Sequence, residues 1–414
     1  MTPLFFDADR DGDLDLFVVS GGVECEPGDR VLRDRLYLND GKGGFRKAKA
    51  PGGVLPEAAI SGGAACAADL DRDGDLDLFV GGRSIPGRYP ETPRSQLLRN
   101  DSKPGVPKFT EVASPALAAT GLVTAALWAD FDGDEWTDLL VAHEWGPVKL
   151  YRNEEGTLRG PEEASGLQGA TGWWSSLAAA DLDGDGDLDF AAGNTGLNTK
   201  YHATADHPAL IYYGDFDGSG KKRIVEAKFE GVTVFPVRGF SCSSDAIPSL
   251  KQKHASFHSF ASRALPELYA ASRLTAARRF EANTLESGLF VNDGKGRFSF
   301  RPLPRLAQAA PIFGAAFTDL DRDGDPDLCV VGNSHSPQPE TGHMDGGVGL
   351  ILRNDGKGNF EPIPPSRSGF VVPGDAKALQ VTDLNRDGWP DMVVGINNGE
   401  VQGFLNLGGP RSSR

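Results

Sequence analysis

The sequence predicts an all-β, seven-bladed β-propeller with metal-binding hairpin loops and a small helical insertion. Three observations carry this. A nine-residue aspartate motif recurs seven times, a short apolar run follows nearly every copy, and glycine-rich turns close the hairpins between them.

The copies are DADRDGDLD from Asp7, DLDRDGDLD from Asp69, DFDGDEWTD from Asp130 and DLDGDGDLD from Asp181, then DFDGSGKKR from Asp215, DLDRDGDPD from Asp319 and DLNRDGWPD from Asp383. Their starts lie 62, 61, 51, 34, 104 and 64 residues apart, and the two odd gaps together span about two ordinary repeats. A strand rich in small residues precedes the motif, as in SGGAACAAD, and an apolar strand such as LDLFVGG follows it. Runs of this kind ending in Gly or Asn fit strands buried on both faces. A second hairpin comes next, read from LYLNDGKGGF, LFVNDGKGRF and LILRNDGKGNF, whose Asn, Asp and Gly are expected to supply the positive φ of a tight turn. Two hairpins make a four-stranded blade, and radial packing of blades protects the sheet edges.

Only Asn194 to Pro208 separates the fourth unit from the next motif. That unit therefore either lacks its outer hairpin or borrows the one at Asp215. Residues 243–283, rich in Ala and Leu, read as short helices inserted within the fifth repeat of a single domain spanning 1–414.

The spacing D-x-D-x-D-G-x-x-D suits a hard divalent cation. Ca²⁺ takes six to eight oxygen ligands, and carboxylates at positions 1, 3 and 5 of a tight loop converge on one point. Position 7 offers a backbone carbonyl, position 9 a closing carboxylate, and glycine at position 6 the bend. The expected ligand sets are Asp7, Asp9, Asp11, Asp13 and Asp15; Asp69, Asp71, Asp73, Asp75 and Asp77; Asp130, Asp132, Asp134, Trp136 and Asp138. They continue with Asp181, Asp183, Asp185, Asp187 and Asp189; Asp319, Asp321, Asp323, Asp325 and Asp327; and Asp383, Asn385, Asp387, Trp389 and Asp391. The third copy carries Glu135 where glycine is expected. The fifth, with Ser219 at position 5 and Arg223 at position 9, is degenerate, and Arg223 or Lys222 is expected to neutralise its aspartates. About six Ca²⁺ sites follow, and six ions would bring the formal charge of −16 to −4.

That negative charge argues against non-specific nucleic-acid binding. No run approaches the length needed for a membrane-spanning helix. Cys25, Cys66, Cys242 and Cys329 are widely spaced without a CxxC pair, which fits buried thiols or one or two disulfides of unassigned pairing.

These residues resemble the FG-GAP and VCBS repeats of integrin α-subunit propellers and bacterial surface proteins, most closely at IFGAAFTDLDRDGD from Ile312. HEWGPVKLYRN from His143 and GWWSSLAAADLDGDGDLDFAAGNTGLNTKY from Gly172 resemble bacterial relatives of cartilage acidic protein. The resemblance implies an exported protein (extracellular, cell-surface or periplasmic) and a role in adhesion or binding of a protein or glycan. Relative to a complete member, the first strand is reduced to TPLFF and an outer strand is wanting after Leu407, which puts ring closure in question.

No GxSxG, HExxH, P-loop or Rossmann pattern occurs, so the chain is read as a binding module and not an enzyme. The alternatives are a carbohydrate-active enzyme, with Glu144 and Glu340 as candidate acids, and a purely structural scaffold. Three lesser clusters remain: His254 with His258; His335, Glu340, His343 and Asp345; and Lys251, Lys253, Arg263, Arg273, Arg278 and Arg279, a basic patch for an acidic partner.

Overall fold

The computed structural model describes residues 2–49, 53–337 and 341–408. The runs that follow the motifs form strands buried on both faces. Asp189–Gly193 and Asp327–Gly332 are buried at every residue, which is why they lack polar alternation. The strands preceding the motifs are rich in Ala and Gly because neighbouring ones nearly touch. A Cβ on Gly63 would sit 2.8 Å from the Val123 carbonyl oxygen of the next sheet.

Seven antiparallel sheets result, in a β-propeller arrangement. Sheet I holds Pro3–Phe6, Asp15–Val18, Arg35–Leu38 and Arg46–Lys47; sheet II holds Ser61–Ala68, Asp77–Ser84, Gln96–Asn100 and Phe109–Val112. Sheet III has Leu122–Ala129, Asp138–Pro147, Lys149–Glu154 and Thr157–Arg159, with Thr171–Trp173 added alongside the long second strand. Sheet IV joins Ser176–Ala180 and Asp189–Gly193 to Gly288–Asn292 and Phe298–Pro302. Sheet V is Ala209–Gly214, Arg223–Glu230, Thr233–Pro236 and Arg278–Ala282. Sheet VI is Ile312–Thr318, Asp327–Gly332, Leu350–Asn354 and Phe360–Ile363, and sheet VII has three strands, Ala376–Thr382, Asp391–Ile396 and Gln402–Phe404.

The apolar cores give the order around the axis. Separate clusters fill the spaces between I and II, II and III, III and IV, IV and VI, and VI and VII. Sheet V has a core of its own, in which Val225 and Phe216 pack on Leu265, Leu268 and Tyr269 from the helices. The fourth unit therefore neither lacks its outer hairpin nor borrows the one at Asp215. Phe190 pairs with Phe290, and the whole of sheet V lies in the loop between those two strands. The reason is local: the outer hairpin carries its own apolar face and NDGKG turn, so it pairs regardless of how much chain precedes it.

The insertion is accordingly larger than its helices. Five short helices run from Phe240 to Ala276, whereas 278–282 form a strand opposite Ala209–Gly214.

In four of the sheets an asparagine stitches the sheet to the preceding aspartate loop. Asn153, Asn292, Asn354 and Asn406 each donate from Nδ2 to the carbonyl of Leu70, Phe131, Leu182 and Leu320 respectively, all at 2.9 Å. In sheet II the bond to the preceding loop comes instead from Ser102 Oγ to the Ala8 carbonyl, at 2.9 Å. Each acceptor is position 2 of an aspartate loop. In two of the three NDGKG turns, at Asn292 and Asn354, the asparagine thus serves cross-blade hydrogen bonding, and the glycines alone take positive φ in all three.

Candidate metal centres and axial mouth

All seven aspartate loops close the connection from the first to the second strand of a sheet. Each is organised by its own carboxylates. In the first loop Asp7 accepts from the Asp11 and Gly12 amides at 3.2 and 3.0 Å, and Asp11 accepts from the Asp13 amide at 3.0 Å. The same pattern recurs from Asp69 and Asp319.

Two positions are left-handed. Position 6 has positive φ in glycine and in Glu135 alike (φ 69°), so the exception keeps the bend and carries its strain. Position 4 is also left-handed, in Gly133, Gly184 and Gly218 and equally in Arg10, Arg72, Arg322 and Arg386. Sequence reasoning missed this, although a site that alternates Gly with Arg was the available signal.

Three of these arginines lean onto position 7 of the following loop. Arg10 Nε is 2.9 Å from Asp75, Arg72 lies 4.0 Å above the Trp136 ring, and Arg322 lies 3.8 Å above Trp389. The side chains of Asp75, Trp136 and Trp389 therefore serve loop-to-loop contacts.

The position-9 aspartates are buried latches. Asp15, Asp138 and Asp391 are fully buried. One oxygen accepts from the position-2 amide (Ala8 at 3.0 Å, Leu384 at 2.8 Å), and the other accepts from the backbone amide of the outer-hairpin asparagine (Asn39 at 2.9 Å, Asn292 to Asp189 at 2.7 Å). Burial pushes Asp77, Asp138, Asp189 and Asp327 up to about 6.

Among the described residues, five loops bring three carboxylates within 4.8 Å of one another: Asp7, Asp9 and Asp15; Asp69, Asp71 and Asp73; Asp130, Asp132 and Asp138; Asp181, Asp183 and Asp185; Asp319, Asp321 and Asp323. Position 3 is the informative residue. In three loops its Oδ1 (Asp9, Asp183 and Asp321) is buried with no hydrogen-bond partner. Burial and the neighbouring acids Asp15, Asp11 and Asp7 push Asp9 up to about 6. A hard cation seated among these oxygens would satisfy the orphaned acceptors and reverse the repulsion, so the donor set fits Ca²⁺. In the third and sixth loops an arginine holds the outer oxygens. Arg152 contacts Asp132 and lies 3.1 Å from Asp138, and Arg353 contacts Asp321 and lies 3.2 Å from Asp323.

The remaining two loops differ. At Asp383 the Asn385 amide donates to Asp387 at 2.8 Å. In the fifth loop neither expected neutraliser reaches the acids: Arg223 donates to the Ala246 and Lys222 carbonyls, and Lys222 pairs with Glu91. Arg273, from the last inserted helix, comes within 4.0 Å of Asp215 instead. Tertiary folding of the insertion supplies that cation, which no local spacing could show.

The opposite end of the sheets forms an axial mouth, a cavity of about 1110 Å³ bordered by Arg83, Tyr89, Thr124, Phe313 and Lys377. Sheet V contributes Ile224 to its rim. Here the two motifs HEWG and GWWSS meet, because Glu144 lies opposite Trp173 in sheet III. Glu144 accepts from the Tyr89 hydroxyl at 2.7 Å and from Arg83, and Trp145 Nε1 donates to the Tyr89 oxygen at 2.6 Å. Beneath them, burial drives His143 down to about 3, with Nδ1 bonded to the Pro147 carbonyl at 2.9 Å.

Other sequence candidates dissolve. His254 is buried and His258 has no third ligand near it among the described residues. The His335 and His343 rings stack at 5.5 Å with no carboxylate cluster around them among the described residues, and Glu340 lies outside those residues. In the basic patch Lys251, Arg263 and Arg279 pair with Asp245, Glu267 and Glu281, and Arg278 covers Phe280, so three of the six charges are matched by acids within the insertion itself. Among the described residues no disulfide joins the four cysteines.

A family model described as FG-GAP-like repeat matches residues 5–80, 130–192 and 269–330. No curated protein matches the sequence. Among solved structures the chain is similar to the Vibrio cholerae biofilm matrix protein Bap1 (12% identity, 95% of this chain and 84% of that one, TM-score 0.31). It is also similar to a Penicillium chrysogenum α-L-arabinanase complexed with arabinobiose (13%, 98% and 92%, TM-score 0.39) and to BBS1N in complex with ARL6DN (12%, 99% and 92%, TM-score 0.36). Scores this low carry no functional argument.

Proposed function

The chain carries FG-GAP-like repeats on a β-propeller, and on that premise we propose that it is a calcium-stapled, exported binding module for a protein or glycan ligand. The observation that carries the calcium reading is the buried, unpartnered Oδ1 of Asp9, Asp183 and Asp321, each inside a cluster of three carboxylates. Ca²⁺ suits all-protein oxygen cages of this flexible kind, whereas Mg²⁺ demands octahedral geometry and retains water. The ions act structurally: they lie at the loop end of the sheets, away from the axial mouth, and remove charge repulsion from hairpins that already hold their shape.

The binding-module reading is supported by the mouth, where both oxygens of Glu144 are engaged by Tyr89 and Arg83. That arrangement presents a fixed polar surface and gives no reason to assign a paired-acid hydrolysis.

Calcium titration of chelator-stripped protein tests the proposal. Each ion at a hundred times its dissociation constant adds about 2.7 kcal/mol to stability. A rise in Tm on adding calcium, a smaller one with magnesium, and five or six ions counted by native mass spectrometry are expected. An unchanged Tm with no bound calcium would overturn it.

A further inference from the structure

We propose that the axial mouth beside sheets II and III is a carbohydrate subsite, formed by Arg83, Tyr89, Glu144, Trp145, Trp173 and Tyr201. The proposal rests on the binding-module reading and adds the class of ligand and the residues that hold it.

The first observation is a set of donors without acceptors. Arg83 Nη1, Thr124 Oγ1 and Trp173 Nε1 are all buried, and none has a hydrogen-bond partner in the protein. Arg83 and Thr124 border the same cavity, and Trp173 stands opposite Glu144, which Arg83 itself contacts. Buried polar atoms are nearly always satisfied, so two at the mouth and a third beside its Arg83–Glu144 pair call for a ligand rich in oxygen acceptors.

The second is aromatic. Trp145 packs edge to face on Trp173 with centroids 5.0 Å apart, and Trp173 packs on Tyr201 at the same distance. All three residues are half-buried.

The third is strain. Trp145 has φ 61°, a left-handed conformation unfavourable for a bulky residue, at a bulge in the strand pairing between Glu144 and Gly146. The strain places the indole N–H on the Tyr89 hydroxyl, which in turn donates to Glu144. The result is a fixed row of apolar rings edged by a guanidinium and a carboxylate. A pyranose or furanose has the matching shape, with apolar C–H faces and a rim of hydroxyls that donate and accept. Of these residues Arg83 and Tyr89 border the cavity of about 1110 Å³, which has room for several such rings, and the aromatic row adjoins it through the Tyr89 bonds to Glu144 and Trp145.

The experiment follows tryptophan fluorescence and titration calorimetry of the calcium-loaded protein with arabinotetraose, xylotetraose and trigalacturonate. Saturable binding of at least one probe is expected, with a change in tryptophan emission. Arg83→Gln and Trp173→Phe should each weaken it by about tenfold or more. Circular dichroism with calcium should show both variants still folded. Response to trigalacturonate alone would assign the subsite to acidic sugars. Absence of binding to all three probes, or binding that neither variant weakens, overturns the proposal. A calcium-dependent Tm with no sugar response would sink the subsite while leaving the calcium reading intact.

Discussion

Glu135 and His143 show how single residues depart from what their neighbours in sequence suggest. Glu135 takes the left-handed bend that glycine takes in the other loops, at about 1 kcal/mol of strain. Glu135→Gly should therefore raise stability by about 1 kcal/mol, read as a higher midpoint in urea unfolding. His143 is held neutral by burial, down to about 3 against an ordinary value near 6.5. Below pH 6.5 the unfolded chain gains a proton there that the native chain refuses, so stability is lost as pH falls. Between pH 7 and pH 5 this one group costs about 2 kcal/mol. His143→Gln should shrink the loss of unfolding free energy between those pH values, read by urea unfolding, by that amount, and an equal loss in both proteins would refute it.

At the level of hairpins and sheets, the stitching asparagines matter more than surface charge. Asn354 is buried and donates to the Leu182 carbonyl of the preceding blade, whereas Asn39 donates to Leu14 within its own sheet. Asn354→Ala should cost about 1–3 kcal/mol because a buried carbonyl loses its partner. Asn39→Ala should cost less than about 1 kcal/mol, and chemical denaturation of both variants checks the difference. The sequence displayed Asn39, Asn292 and Asn354 in identical NDGKG turns, yet the different role of Asn39 was not legible there. Turn chemistry explains Asn and Gly equally well, and only the neighbouring blade reveals the acceptor.

Over the whole molecule, the propeller and the inserted unit are two cores. Residues 209–282 pack around Phe216, Leu265 and Tyr269, while the blades share cores pairwise around the axis. Chelation should therefore raise hydrogen exchange in the strands flanking the aspartate loops of sheets I to IV and VI. Amides of Val225 and Ala227 in sheet V should stay protected, and equal loss everywhere would contradict the separation. No core cluster among the described residues joins sheets VII and I. Arg386, unlike Arg10, accordingly finds no loop ahead of it to contact among those residues.

The repeat, its strands and its aspartate loops were determined by the sequence alone. Position-specific acids and glycines act within nine residues of one another, and strand burial shows as an unbroken apolar run. Tertiary structure decided which outer hairpin completes sheet IV, because strand pairing depends on matching faces and not on distance along the chain. It also decided what stands beside each charge. Arg273 reaches Asp215, Arg10 reaches Asp75, and Glu144 meets Tyr89, Arg83 and Trp173, in contacts that bring together residues far apart in the chain. Such pairings follow from the packing of whole sheets, which no local spacing encodes.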